Sequence, residues 1–248
     1  MIETHQLCKV FKDKKRGLVR AVESLTLRCQ PGRIYGLLGA NGAGKTTTLR
    51  MLATILQPTS GTAQVGGFDV VREPEKVRAN VGFLSTATAL YGRLTAQEMV
   101  EYFGRLNGLE GERLRKAVDG LFHTLDMESF RGRRCDKLST GMKQKVSIAR
   151  TLVHDPPVMI FDEPTVGLDV MTARSIVIFI RQCREQNKTV IFSTHVMSEA
   201  EKLCDRIGII HDGKLLAEGS LADLRQSSGK TDLEDIFVGI VGEGHESA

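Results

Sequence analysis

Two stretches of this chain combine residue types and spacings that chemistry can use. The first is Gly39-Ala40-Asn41-Gly42-Ala43-Gly44-Lys45-Thr46, which reads G-x-x-x-x-G-K-T. Glycines let such a loop fold tightly, so that consecutive backbone N–H groups converge on phosphate oxygens. Lys45 can then reach β- and γ-phosphates, and the Thr46 hydroxyl can meet Mg2+, while the N-terminus of the following helix favours an anion. Asn41, Ala43 and Thr47 fall within or beside the same loop. A nucleoside triphosphate is the expected ligand. The second stretch is Val158-Met159-Ile160-Phe161-Asp162-Glu163, an apolar run closed by two acids. Asp162, at the end of a buried strand expected beside the strand that feeds the loop, would hold Mg2+. Glu163, one residue on, would face the γ-phosphate side and polarise an attacking water. Hydrolysis, rather than binding alone, is expected.

Two further groups join them. His195 closes Ser193-Thr194-His195 after an apolar run. Ligands gather at the carboxyl ends of parallel strands, so this imidazole is expected on the same edge as the loop and the acid pair, orienting the water. Leu138-Ser139-Thr140-Gly141-Met142 opens a helix. Ser139 is a good N-cap, and its hydroxyl with the free N–H groups of the first turn also makes an anion site.

These residues need a scaffold of strands feeding loops. Val22–Cys29 and 33–38 are strand-like and are separated by Pro31-Gly32; a helix is expected from Thr46 to Leu56, broken by Gln57-Pro58-Thr59-Ser60-Gly61. A short strand pair over 62–70 comes next, then a buried strand over 81–84. Thr95-Ala96-Gln97-Glu98 reads as a capping box for a helix ending near Asn107-Gly108, and Leu114, Val118, Leu121 and Leu125 share one stripe of the next helix. The α/β rhythm then resumes, with strands over 158–161 and 189–193, helices over 170–187 and 197–204, and a hairpin turning at Asp212-Gly213. The acid-rich last thirty residues read as a helical tail that frays.

Size and composition restrict the possibilities. The 248 residues suffice for one large α/β domain or at most two small ones, and 41% hydrophobic with 26% charged residues describes an ordinary globular chain. The longest strictly apolar run, Ile176–Ile180, is far short of the roughly 20 residues that span a bilayer. No basic-then-apolar leader is visible at the N-terminus. Five cysteines without a C-x-x-C pair are expected as free thiols rather than a zinc site. The basic N-terminal patch (1–34) and acidic tail (220–248) would suit nucleic acid or an anionic membrane surface, but solvated faces are the expected reading.

The glycine loop, the Leu-Ser-x-Gly helix start and then apolar-Asp-Glu-Pro-Thr-x-Gly-Leu-Asp, in that order, resemble the ATP-binding subunits of ABC transporters. The resemblance covers nearly the whole chain. It implies a RecA-like P-loop NTPase core (1–85 and 138–219) with an antiparallel β subdomain, an inserted helical subdomain (86–137) and a C-terminal tail (220–248). It implies ATP and Mg2+ as ligands, Gly39, Gly42 and Gly44 around the phosphates, Glu163 as catalytic base and His195 as the switch histidine. It further implies a second copy of the chain whose Ser139 and Gly141 close over the ATP held by Lys45, Asp169 as an acid at that interface, and Phe11 stacked on adenine. Phe11 as a core residue is the competing reading. A separately encoded transmembrane permease, reached from the cytoplasmic side of the membrane, is the implied partner, with no role for nucleic acid.

The chain departs from the family pattern at Thr140 and Met142, where the signature usually carries glycine and glutamine, and at Thr86, where a glutamine usually reaches the metal. These departures, with Leu90–Thr95 and Leu233–Phe237, are similar to NatA-type subunits of the ABC-2 export branch, which drive sodium export. The alternatives are a soluble ABC-type ATPase acting on DNA or ribosomes, and a nucleotide-binding subunit with little hydrolysis.

Overall fold

The computed structural model describes residues 1–15, 17–85 and 89–246. The chain begins with β1 (Ile2–Asp13), β2 (Gly17–Cys29), β3 (Ile34–Leu38), α1 (Lys45–Leu52), β4 (Ser60–Val65), β5 (Phe68–Asp69), α2 (Pro74–Ala79) and β6 (Val81–Ser85). It continues through α3 (Ala96–Leu106), α4 (Gly111–Thr124), α5 (Thr140–Leu152), β7 (Val158–Asp162), α6 (Val170–Glu185), β8 (Thr189–Thr194) and α7 (Met197–Leu203). The hairpin β9 (Arg206–His211) and β10 (Lys214–Gly219), then α8 (Leu221–Ser228) and α9 (Leu233–Glu246), complete it.

Among the described residues the strands form two sheets. The antiparallel one runs β2-β1-β4-β5, and the larger one runs β10-β9-β3-β8-β7-β6, parallel except at the β9–β10 hairpin. Every residue of β3, β7 and β8 is buried, as apolar runs must be when a parallel sheet is covered on both faces. Asp212 and Gly213, at φ 45° and 79°, make the expected two-residue turn of that hairpin. Between β6 and β7, α3, α4 and α5 bury a separate cluster that includes Met99, Val100, Leu114, Val118, Phe122 and Val146. Thr95 and Glu98 form the expected capping box at the start of α3.

Three expectations are corrected. First, β7 is not beside β3, because β8 lies between them. Parallel strands are joined by crossovers, so neighbours in space need not be neighbours in sequence. Helix α1 leans across β8 to pack on β7, and this restores the link that adjacency was expected to supply. Second, α1 stops at Leu52 rather than Leu56. Thr54 turns left-handed at φ 60°, with Thr54 N–H donating to Met51 O and Ile55 N–H donating to Arg50 O. That bond pattern is a helix stop usually marked by glycine, and here a threonine hides it. Third, the tail does not fray from its start: Leu224, Leu233 and Ile236 are buried against Leu38, Ala200, Ile207 and Ile209.

Strand β1 had no separate reading in the sequence. Its alternation is interrupted by register shifts between Thr4 and Leu7, Leu7 and Lys9, and Lys9 and Val10, and Gln6 is left-handed at φ 47°. Each slip moves the inward side chains to the other face, so no sustained period-2 pattern survives.

Candidate functional site

Strands β3, β7 and β8 end on one edge of the sheet, and the segments leaving them converge. From β3 the chain enters the glycine loop. Gly44 adopts φ 106°, and a Cβ there would lie 2.4 Å from the carbonyl oxygen of Ala21 in β2, so this position requires glycine. Gly39 is equally confined, since a Cβ there would lie 2.4 Å from the oxygen of Ile210. The loop thus holds its shape by close backbone approach to β2 and β9, and Gly213 N–H donating to Ala43 O adds a pin.

Lys45, only 4% exposed, curls back under the loop. Its Nζ donates to the carbonyls of Gly39 (2.7 Å) and Ala40 (3.0 Å) and pairs with Glu163 Oε1 at 3.1 Å. Three acceptors match the three protons of the ammonium. Thr46 donates from Oγ1 to Asp162 Oδ1 at 2.9 Å, joining the first residue after Lys45 to the end of β7. Hydroxyl and carboxylate oxygens meeting at one point form a hard donor set that suits Mg2+ better than a soft metal. Asn41, Gly42, Gly44, Lys45, Thr46, Thr47 and Glu163 line a cavity of about 150 Å3 together with Ala21.

Glu163 is left-handed at φ 46°, an uncommon backbone for a non-glycine residue. Its two carboxylate oxygens part ways: Oε1 takes Lys45, and Oε2 lies 3.3 Å from His195 Nδ1. The fold therefore gathers five groups that the sequence singles out, Lys45, Thr46, Asp162, Glu163 and His195. A sixth, Ser193, escaped the sequence reading. This fully buried residue faces Asp162 in the β7–β8 register, donates to Asp162 Oδ1 at 2.9 Å and accepts from Glu163 N–H at 3.0 Å. Only the register of two strands shows that contact; the triplet Ser193-Thr194-His195 was the available signal.

The remaining candidates sit elsewhere in the chain. Ser139 caps α5, accepting from Met142 N–H at 3.3 Å, and is exposed. Gly141 lies against α6, where a Cβ would meet Thr172 Oγ1 at 3.1 Å. Asp169 caps α6: Oδ1 accepts from the N–H groups of Met171 (3.1 Å) and Thr172 (3.0 Å), and Oδ2 from the Thr172 hydroxyl (2.7 Å). The Thr172 hydroxyl and these amides hold its carboxyl below the usual value for aspartate. Phe11 is 38% exposed on β1, with Lys9 Nζ 5.2 Å from its ring centre, which overturns the core reading of that residue. Its partner in β2 is Val19, two residues before the Ala21 that abuts Gly44. Thr86 lies outside the described residues; β6 ends just before it, with Ser85 opposite Asp162.

Residues 22–166 match the sequence pattern of the ABC transporter family. The chain belongs to that family. It is an ATP-binding subunit of an ABC transporter and an ATP hydrolase. The ABC transporter ATP-binding protein NatA of Bacillus subtilis (strain 168) is 42% identical over 239 residues, covering 96% of this chain and 97% of that protein. The daunorubicin/doxorubicin resistance ATP-binding protein DrrA of Streptomyces peucetius is 37% identical over 228 residues, covering 92% and 68%. A solved dimeric ATP-binding cassette, in a post-hydrolysis state with ADP and Pi, superposes with a TM-score of 0.79 at 27% identity, covering 89% of this chain and 98% of that one. The resemblance read from the motifs is borne out, and so is the α/β P-loop NTPase fold.

Proposed function

We propose that this chain is the motor of an export system, working as a dimer on a separate transmembrane permease at the cytoplasmic face of the membrane. The observation that carries the reading is the chain of contacts Thr46–Asp162 and Lys45–Glu163–His195 at the mouth of the glycine loop. Triphosphate entering the loop offers Lys45 a new anion in exchange for Glu163. The freed carboxylate then polarises water, and His195 steers it toward the γ-phosphate. Thr46 and Asp162 would hold Mg2+, which supplies charge neutralisation to the phosphates. The exposed Ser139 and the adjoining Gly141 of a second copy close the site from the other side. Because both sides touch the γ-phosphate only when the copies meet, its cleavage reopens the pair and moves the permease.

The groove between α3, α5 and β6 is the docking surface we assign to the permease. Phe83, Phe103, Asn107 and His154 line it, and Ile55 stands 56% exposed at its edge. The motif resemblance to sodium-export subunits, at Thr86, Thr140, Met142, Leu90–Thr95 and Leu233–Phe237, favours sodium efflux as the work done. The likeness to a drug-resistance ATP-binding protein keeps organic cargo as the rival, and transport assays on the assembled system with each cargo separate them.

The mechanism is tested by Glu163→Gln. Turnover is expected to fall at least about a hundredfold, the scale of a lost general base. ATP affinity stays, and light scattering should find ATP-loaded dimers accumulating. Unchanged turnover would contradict the assignment.

A further inference from the structure

We propose that Ser193 is a positioning residue for ATP hydrolysis: its hydroxyl fixes the backbone of Glu163 and, with it, the aim of the catalytic carboxylate. The proposal rests on the reading of Glu163 as base and adds the device that holds it.

Three observations carry it. Ser193 sits at the end of β8, directly opposite Asp162 in the parallel register, and is fully buried. Its single hydroxyl does two jobs at once. It donates to Asp162 Oδ1 at 2.9 Å and accepts the Glu163 N–H at 3.0 Å, so the proton and a lone pair are both committed. Glu163 is held in a left-handed conformation at φ 46°, immediately before Pro164. A residue preceding proline prefers extended backbone, and a non-glycine residue resists positive φ. Such a conformation persists only where the surroundings impose it. Here Glu163 N–H donates to Ser193 Oγ while its carbonyl accepts from Val166 N–H at 3.3 Å, and of the two the Ser193 bond is the one made by a side chain from another strand.

The consequence for chemistry is directional. With its amide anchored, Glu163 points one carboxylate oxygen at Lys45 and the other at His195. Without the acceptor, the amide is left unsatisfied in a half-buried place and the backbone relaxes toward extended φ, which swings the carboxylate off its line. Asp162 keeps its bond from Thr46 Oγ1 at 2.9 Å, so the phosphate-holding side of the site survives. The next residue works separately: Thr194 Oγ1 donates to Glu199 Oε2 and accepts Val196 N–H, anchoring the turn that carries His195. Ser193 thus governs the base, and Thr194 governs the histidine.

Steady-state and single-turnover ATP hydrolysis by the purified chain test the proposal, using Ser193→Ala, Ser193→Cys and Ser193→Thr in the wild-type and Glu163→Gln backgrounds. Alanine removes the hydroxyl, cysteine keeps the size with a poor hydrogen-bonding atom, and threonine keeps the hydroxyl. We expect alanine and cysteine to lower kcat about tenfold, the scale of the lost bond to Glu163 N–H, with KM for ATP changed less than about twofold because Asp162 keeps its bond from Thr46. Threonine is expected to recover most of kcat, and cysteine carries the test should the added methyl prevent folding. In the Glu163→Gln background the alanine exchange should cost nothing further, because Ser193 acts through Glu163. Wild-type kcat in Ser193→Ala, a loss confined to KM, or the same fold-loss with and without the Glu163 carboxylate would each overturn the proposal. Glu163→Gln alone reports on the base: if it stays active the base reading fails, whereas an inactive Glu163→Gln beside a fully active Ser193→Ala sinks only the positioning role.

Discussion

At the residue scale, the site is a competition for one buried cation. Lys45 has three acceptors within 3.1 Å, and the anion among them is Glu163. A charged group nearly free of solvent cannot stand alone, so any ligand that takes Lys45 must bring negative charge. Triphosphate does. Lys45→Ala removes that attraction and leaves Glu163 without its cation. We expect ATP affinity measured by calorimetry to fall about thirtyfold or more, the usual scale for a lost charge-assisted hydrogen bond in a buried site. Affinity within about twofold of wild type would show that the loop amides alone hold the phosphates.

At the scale of elements, the glycine loop is specified by what crowds it as well as by what it must bind. Gly42 and Gly44 both have positive φ, yet a Cβ at Gly42 meets nothing within 4 Å, whereas one at Gly44 strikes the oxygen of Ala21. Gly42→Ala should therefore cost only backbone strain, about 1 kcal/mol, while Gly44→Ala must also push β2 from the loop. Melting temperature and ATP affinity of the two variants, measured side by side, should both rank Gly44→Ala as the more damaging; equal effects would refute the crowding argument. The same contrast explains how much of the fold was legible. Motifs whose meaning is local were readable: the glycine loop, Asp162 and Glu163 closing an apolar run, the Thr95–Glu98 capping box, the Asp212-Gly213 turn. Features that depend on partners far away in sequence were not. The place of β8 between β3 and β7, the Ser193 bridge and the buried tail each arise from pairings no local pattern encodes. The early stop of α1 was missed for a different reason, a threonine doing what glycine usually does.

At the scale of the molecule, the core sheet presents its chemistry at the carboxyl ends of its strands, while α3, α4 and α5 build a separate packed unit beside it. His154, just past α5 and lining the groove beside β6, makes the fold respond to acid. Burial lowers its pKa below the ordinary histidine value. The unfolded chain therefore accepts a proton near pH 6.5 that the folded chain resists, and stability falls as pH drops below that value. Melting temperature should decline less between pH 7 and pH 5.5 in His154→Gln than in the wild type; parallel declines would remove His154 from the account.

The central claim is that ATP is shared between the glycine loop of one copy and the Ser139 helix start of another. Cross-linking tests it directly in the Glu163→Gln background, mixing chains that carry Asn41→Cys with chains that carry Ser139→Cys. Cys8, a partly exposed native thiol, is replaced by serine, and burial raises the thiols of Cys29, Cys135, Cys183 and Cys204 above the ordinary value, those of Cys29 and Cys183 to about 12, which keeps them out of the reaction. The account predicts a disulfide between the two kinds of chain that forms with MgATP and not without nucleotide. Mixed chains that stay uncrosslinked while saturated with MgATP would contradict it.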